Sequence, residues 1–284
     1  MKELLILQRN ELTEHYIYKK LASKIKDSHN KEILNRLSKE ELGHYERLKE
    51  ITKTEVQINR LKYFFYLIVI KIFGFTFGLK LMEKGEKLAQ KRYENILNLS
   101  PQVKDIVFDE KEHEEEILSI LDEERLKYVG SMVLGLSDAL VELTGVLAGL
   151  TFSLRNTQLI ALSGLITGIS ASLSMAGSEY LSTKSEGKEK NPTFAAIITG
   201  ITYVLAVFCL ILPYFLFKHY AISFLFSIIF AVLLVFIFTF YISIAQDLEF
   251  RKRFFEMIFI IFLVSTITFL IGNLVKTFLG VKVD

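Results

Sequence analysis

Five long apolar stretches fill the second half of the chain and restrict how it can fold. Each has about 20 mostly apolar residues, which as a helix is long enough to cross a hydrocarbon core roughly 30 Å thick. The predicted spans are Val129–Leu154, Gln158–Leu181, Thr193–Phe217, Ala221–Ile244 and Phe254–Leu279. The sequence therefore predicts a five-helix transmembrane domain over residues 128–284.

The first half is charged and has the pattern of packed helices. Leu, Ile and Tyr recur there at three- and four-residue spacing, and Gly and Pro are scarce, which is typical of α-helix. Turn-forming residues at 27–30 separate a helix over 2–25 from a second over 31–53, and Pro101 marks the start of a fourth. A third helix fills 59–98. The expected fold is all-α, with a four-helix soluble domain over 1–127 before the transmembrane domain.

Composition excludes several classes of function. The net charge is +2, and the basic residues of the first half alternate with acidic ones, so no surface suited to nucleic acid is predicted. Cys209 is the single cysteine, which excludes intrachain disulfides and cysteine-ligated zinc or iron–sulfur sites. The N-terminal residues become charged too soon for a secretory signal peptide.

Basic residues favour one orientation in the cell membrane. Two of the loops between spans are basic, whereas the opposite connections have little beyond Arg155 and Lys218; the basic loop residues are Lys184, Lys188, Lys190, Arg251, Lys252 and Arg253. The positive-inside rule then predicts a cytoplasmic N-terminal domain and an external C-terminus.

Residues 63–79 are apolar on all sides except at Lys71. A buried helix of a soluble domain does not explain that pattern, and we expect this segment to lie against the bilayer or the membrane domain. A sixth crossing is the alternative, since about 17 residues are close to a spanning length. It would place the motifs described next on opposite sides of the membrane.

The charged half contains the Glu-x-x-His motif twice, as Glu41 with His44 and Glu110 with His113. Residues three apart share one face of a helix, so each pair can offer a carboxylate and an imidazole to a metal. A four-helix di-metal site also needs a Glu from each remaining helix, for which Glu11 or Glu14 and Glu83 or Glu86 are candidates. Bridging carboxylates with imidazoles suit Fe²⁺ or Mn²⁺ better than Zn²⁺, which stays an alternative.

This half resembles the rubrerythrin branch of the ferritin-like family. The resemblance lies in Asn10-Glu11 with Tyr18 two turns later, Glu41-Leu42-Gly43-His44, Glu83-Lys84-Gly85-Glu86 and Asp109-Glu110-Lys111-Glu112-His113. It implies two metals ligated by Glu11, Glu41, His44, Glu83, Glu86, Glu110 and His113. The cysteine-ligated rubredoxin module of rubrerythrin is missing. We expect Glu14, Glu40, Glu112 and Glu114 to Glu116 to form a solvated face.

The first two spans carry acids that a simple anchor does not need. Asp138 and Glu142 lie one turn apart in the first span, and Met175 and Glu179 lie one turn apart near the end of the second. A carboxylate within lipid costs several kcal/mol unless it faces a polar path or a partner, so these residues are transport-pathway candidates. The same spans are rich in glycines that permit close helix approach, namely Gly130, Gly135, Gly145, Gly149, Gly164 and Gly168.

The first span contains the run Gly-Leu-Ser-Asp, which ends at Asp138, and the second contains Ser-Met-Ala-Gly-Ser-Glu-Tyr-Leu-Ser at 174–182. Together with the five spans, these runs resemble the vacuolar iron transporter family. The resemblance implies a homodimeric exporter of Fe²⁺ or Mn²⁺ coupled to proton entry, with Asp138 and Met175 in the pathway. Plant members have a Glu-rich insertion between spans two and three, where this chain has a short loop. They also have an acid about two turns before the Met, where this chain has Thr167.

Two functions remain open at this point. The first is a metal exporter whose ferritin-like domain binds, senses or delivers the ion. The second is a membrane-anchored di-iron oxidase or peroxidase, which explains the two motifs but not Asp138.

Overall fold

The computed structural model describes residues 1–97, 104–119, 128–187 and 190–279. Within these ranges every regular element is a helix and none is a strand. The chain divides into two compact units, Met1–Asp122 and Glu123–Asp284, which we describe separately.

Five helices make up the described part of the first unit. They are α1 (Lys2–Ala22), α2 (Ser28–Thr52), α3 (Arg60–Phe73), α4 (Phe75–Leu97) and α5 (Lys104–Ser119). The predicted break between the first two helices is present, but it lies at 23–27, and residues 28–30 already belong to α2. Asp27 accepts a hydrogen bond of 2.8 Å from the Asn30 backbone N–H and caps the helix, as predicted. The chain leaves α2 through Lys53, at φ 52°.

The core of the first unit is apolar and is shared by all five helices. Ile17, Tyr18 and Leu21 of α1 pack with Leu34 and Leu37 of α2. The remaining buried members of this cluster include Tyr66 from α3, Leu79 and Met82 from α4, and Ile117 from α5. Burying side chains of this size contributes about 1.5–3 kcal/mol each, so the packing fixes which helix faces point inward.

The prediction of a single third helix over 59–98 was wrong, because the chain breaks at Gly74. Gly74 has φ 93°, a conformation that glycine adopts without strain. Gly78 then lies so close to the Ile70 side chain that a Cβ atom there would overlap it. The α3 helix has only 14 residues, about 21 Å, and no straight crossing over 63–79 forms in this described segment.

The second unit consists of long apolar helices. They are α6 (Val129–Leu154), α7 (Thr157–Ser185), α8 (Pro192–Leu216), α9 (Tyr220–Ala245) and α10 (Phe250–Leu279). All five are long and apolar enough to cross a membrane, and within the described ranges no other helix meets both conditions. The predicted number of spans is confirmed.

The α6 helix packs on two sides through small residues. On one side Gly135 lies against the carbonyl of Thr199 in α8, and the Thr199 hydroxyl donates a 3.0 Å hydrogen bond to the carbonyl of Ser131. On the other side, a Cβ at Gly145 would lie 3.0 Å from Oγ1 of Thr268 in α10. Close approach through small residues is how helices associate where lipid is as apolar as the side chains.

Gly135→Ala should destabilise the second unit. The added methyl group would meet the Thr199 carbonyl, and overpacking of this kind typically costs about 1–3 kcal/mol. The control is Gly130→Ala on the same helix, where the nearest atom to an added Cβ is 4.0 Å away. We expect a lower thermal unfolding midpoint for Gly135→Ala alone, and equal midpoints for the two variants would contradict this packing.

Candidate metal centre and membrane carboxylates

The two Glu-x-x-His motifs meet inside the first unit. Helix α2 contributes Glu41 and His44, and α5 contributes Glu110 and His113; one ligand atom from each lies within 4.8 Å of the others. All four side chains are buried, the two carboxylates completely. Two helices that are distant in the sequence thus place two carboxylates and two imidazoles around a single point.

The Nδ1 atoms of both histidines point toward these carboxylates. Nδ1 of His44 lies 3.3 Å from a Glu11 oxygen and 3.4 Å from a Glu110 oxygen. Nδ1 of His113 lies 3.1 Å from a Glu41 oxygen. The two imidazole rings stack at 5.4 Å between centroids. Glu11 on α1 therefore belongs to the same cluster as the two motifs.

The Nε2 atoms point outward to two further acids. Nε2 of His44 lies 3.0 Å from Asp109, and Nε2 of His113 lies 3.0 Å from Glu40. Each acid immediately precedes the motif glutamate of the opposite helix, so the arrangement is reciprocal. An Nε2–H that donates to a carboxylate leaves the Nδ1 lone pair available to a metal and fixes the orientation of the ring.

This role of Glu40 and Asp109 was not predicted from the sequence. The sequence predicts a solvated Glu40, and its side chain is exposed, but the hydrogen bond from His113 also lowers the pKa of Glu40 below its usual value. An acid directly before each motif glutamate was the sequence feature that could have revealed it. For His44, burial lowers the pKa, but hydrogen bonds and charge from Glu11 and Asp109 outweigh burial, so the pKa is raised.

The cluster brings several carboxylates together in the interior of the first unit. Glu11, Glu41 and Glu110 are fully buried, and buried carboxylates are unfavourable unless a cation or a proton compensates them. Oxygen ligands with one imidazole from each motif are a donor set that Fe²⁺, Mn²⁺ and Zn²⁺ accept. The residues present therefore fit a metal centre.

Glu14 and Glu83 behave differently from the sequence expectation. Glu14 is buried rather than solvated; it can share a cation with Glu11 and Glu41, and it pairs with Lys62 at 2.5 Å. Glu83 is fully buried, but its oxygens contact the ammonium groups of Lys80, at 2.8 Å, and Lys87. Among the described side chains, Glu83 is in neither group of possible metal ligands. The Glu86 side chain lies outside the described residues.

In the second unit, two of the three predicted acids, Glu142 and Glu179, accept hydrogen bonds from neighbouring helices. The Tyr203 hydroxyl of α8 donates a 2.8 Å hydrogen bond to Glu142, and the Ser131 hydroxyl of α6 donates one of 2.6 Å to Glu179 of α7. Neither Tyr203 nor Ser131 was predicted from the sequence as a site residue. Asp138, one turn before Glu142, is partly buried, whereas Glu142 is exposed on the surface of the single chain.

The hydrogen bond between Ser131 and Glu179 sets the two residues at the same level along α6 and α7. Measured from that level by the rise per residue, Met175 lies about 6 Å toward the start of α7, and Asp138 and Glu142 lie about 10 and 16 Å toward the end of α6. The predicted pathway residues thus occupy successive depths along two adjacent helices. Met175 also packs against the apolar core of the second unit.

Comparison with known proteins agrees with this description of the second unit. Residues 129–188 are similar to the VIT family, a segment that comprises α6, α7 and the start of the following loop. No curated protein matches the chain. The VIT-family match and the five apolar helices together support an integral membrane domain of the VIT type and indicate a metal-ion transporter.

Asp109→Asn should weaken metal binding without removing a ligand. Loss of a carboxylate that orients a ligating histidine typically lowers metal affinity about 10- to 100-fold, and Glu40→Gln should do the same through His113. The control is Glu112→Gln, an exposed acid on the same helix. Titration of the purified chain with Fe²⁺ or Mn²⁺ measures the affinities. If Asp109→Asn bound metal as tightly as the control, orientation of His44 by Asp109 would be unimportant.

Proposed function

We propose that the protein is a membrane transporter that exports Fe²⁺ or Mn²⁺ from the cytoplasm in exchange for protons. Its first unit is a cytoplasmic, ferritin-like domain that binds the metal and delivers it. The observation that carries the proposal is the pair Asp138 and Glu142 within α6, in the segment that resembles the VIT family.

Carboxylates within the bilayer suit exchange of a divalent cation for protons. An unhydrated carboxylate is stable when it is protonated or bound to a cation, so a departing metal ion favours proton uptake. Tyr203 holds one oxygen of Glu142 in place and leaves its other oxygen for a cation. Met175 adds a soft sulfur ligand near the entrance, which suits a borderline ion such as Fe²⁺.

The exposed position of Glu142 favours a homodimer. A carboxylate on the lipid-facing surface of a single chain is costly, and a second copy packed against α6 and α7 would cover it. The pathway would then lie along the interface between the two subunits.

The first unit fits capture of the transported ion. Helices α1, α2, α4 and α5 each supply a buried Glu, which supports a ferritin-like domain, since such domains take one acid from each of four helices. Glu11, Glu41, His44, Glu110 and His113 would hold the ion, and the lysines beside Glu83 reduce the negative charge available to a second one. The basic loops between the spans favour a cytoplasmic location for this unit.

Asp138→Asn should abolish most transport. In proteoliposomes loaded with a metal-sensitive dye, we expect Fe²⁺ flux to fall at least about tenfold, since an amide cannot supply the negative charge that the cation needs. Glu256→Gln, an acid of α10 that pairs with Arg253, is the control with normal flux. Unchanged flux in Asp138→Asn would refute the pathway.

Combined Glu41→Ala and Glu110→Ala substitutions should remove metal from the first unit. These residues supply the two fully buried motif carboxylates, and their loss leaves imidazoles without the negative charge that a divalent ion requires. Elemental analysis of the purified full chain should show less bound metal per chain than in Glu112→Ala. An unchanged metal content would contradict the site.

The alternative function makes a different prediction. If the unaltered protein consumed peroxide and carried no metal flux, the membrane-anchored enzyme would be favoured.

A further inference from the structure

The outward face of α3 is an unusual surface for a domain in water. Of the nine large apolar side chains described as exposed in the first unit, five lie on this 14-residue helix. They are Leu61, Phe64, Phe65, Ile68 and Ile72, with exposed fractions between 46% and 86%. We call this set the α3 stripe. Contiguous apolar surfaces of this kind generally mark a binding surface.

The α3 stripe is continuous because of its spacing. Its members follow the three- and four-residue intervals that place side chains on one face of a helix. The opposite face holds Tyr66 and Val69, which are buried in the first unit. The helix is therefore fixed by one apolar face and presents a second apolar face outward.

Charge at the edge of the α3 stripe indicates what it meets. The helix has three basic residues and no acidic one. Lys62 turns back to Glu14, whereas Arg60 and Lys71 are exposed and project from the same edge of the stripe, by helical geometry. An apolar face bordered by Lys and Arg is the composition of helices that lie in the interface of an anionic membrane.

The length of α3 and its place in a chain with membrane-spanning helices also indicate a lipid bilayer as the partner. At about 21 Å, the helix is too short to cross a hydrocarbon core of roughly 30 Å, but it can lie flat on the surface. The same chain has five helices that can span a bilayer, so a membrane is always within reach.

We propose that the α3 stripe inserts into the headgroup–acyl boundary of the membrane that holds the second unit, with Arg60 and Lys71 against anionic lipid headgroups. This surface docks the metal-binding unit on the bilayer by a contact separate from the covalent link between the two units. It does not depend on metal transport, and its test needs no metal.

A single tryptophan can test the proposal, because the chain contains none. Phe64→Trp places one in the α3 stripe, and Phe108→Trp places one at a similarly exposed position, 64% against 58%, on α5. The full-length variants are reconstituted in nanodiscs of phosphatidylcholine and phosphatidylglycerol, with or without bromine on the acyl chains. Ile68→Trp repeats the measurement within the stripe, in case Phe64→Trp perturbs the fold.

Brominated lipid should quench the stripe tryptophans about twofold and leave the Phe108→Trp signal nearly unchanged, since quenching requires depth within the acyl boundary. Adding Arg60→Glu and Lys71→Glu should reduce the quenching in discs that contain phosphatidylglycerol. Quenching of the stripe tryptophans by aqueous iodide as strongly as in Phe108→Trp would overturn the proposal. Protection from both quenchers would also overturn it, because protein rather than lipid would then cover the stripe.

Discussion

The structure depends on how carboxylates are stabilised where water is scarce. Glu11, Glu41 and Glu110 are completely buried in the first unit, and Asp138 and Glu142 lie within a helix that can span a membrane. In both places an uncompensated negative charge is costly. Histidines contact the three glutamates of the first unit, and a tyrosine donates a hydrogen bond to Glu142; a divalent cation can add positive charge in both places. The need for a compensating positive charge or proton therefore governs both where these carboxylates can be buried and what they can bind.

The pattern of the sequence was sufficient to predict the long-range architecture. Runs of apolar residues predicted all five spans within a few residues, because spanning length and hydropathy are local properties. The pairing of Glu41 and His44 with Glu110 and His113 was also foreseeable, because helical spacing orients each pair and a bundle brings the pairs together.

Details that depend on tertiary contacts were not predictable. The break at Gly74 brings Gly78 against the Ile70 side chain, a contact that helical periodicity does not encode. Glu40 looked like one acid among many, and only its position opposite His113 gives it a role. Glu83 is a separate case, because Lys80 and Lys87, three and four residues away on the same helix, approach its oxygens, and that spacing could have been recognised in the sequence. For Gly78 and Glu40, the sequence predicts the face of the helix that the residue occupies but not the partner that it contacts.

Anomalous diffraction from crystals of the full chain soaked in Fe²⁺ is the most direct test of this account. Data collected at the iron edge should show one peak between Glu41, His44, Glu110 and His113, and another beside Asp138 and Glu142. A map of well-ordered protein without a peak at either place would contradict the claim that cations stabilise these carboxylates.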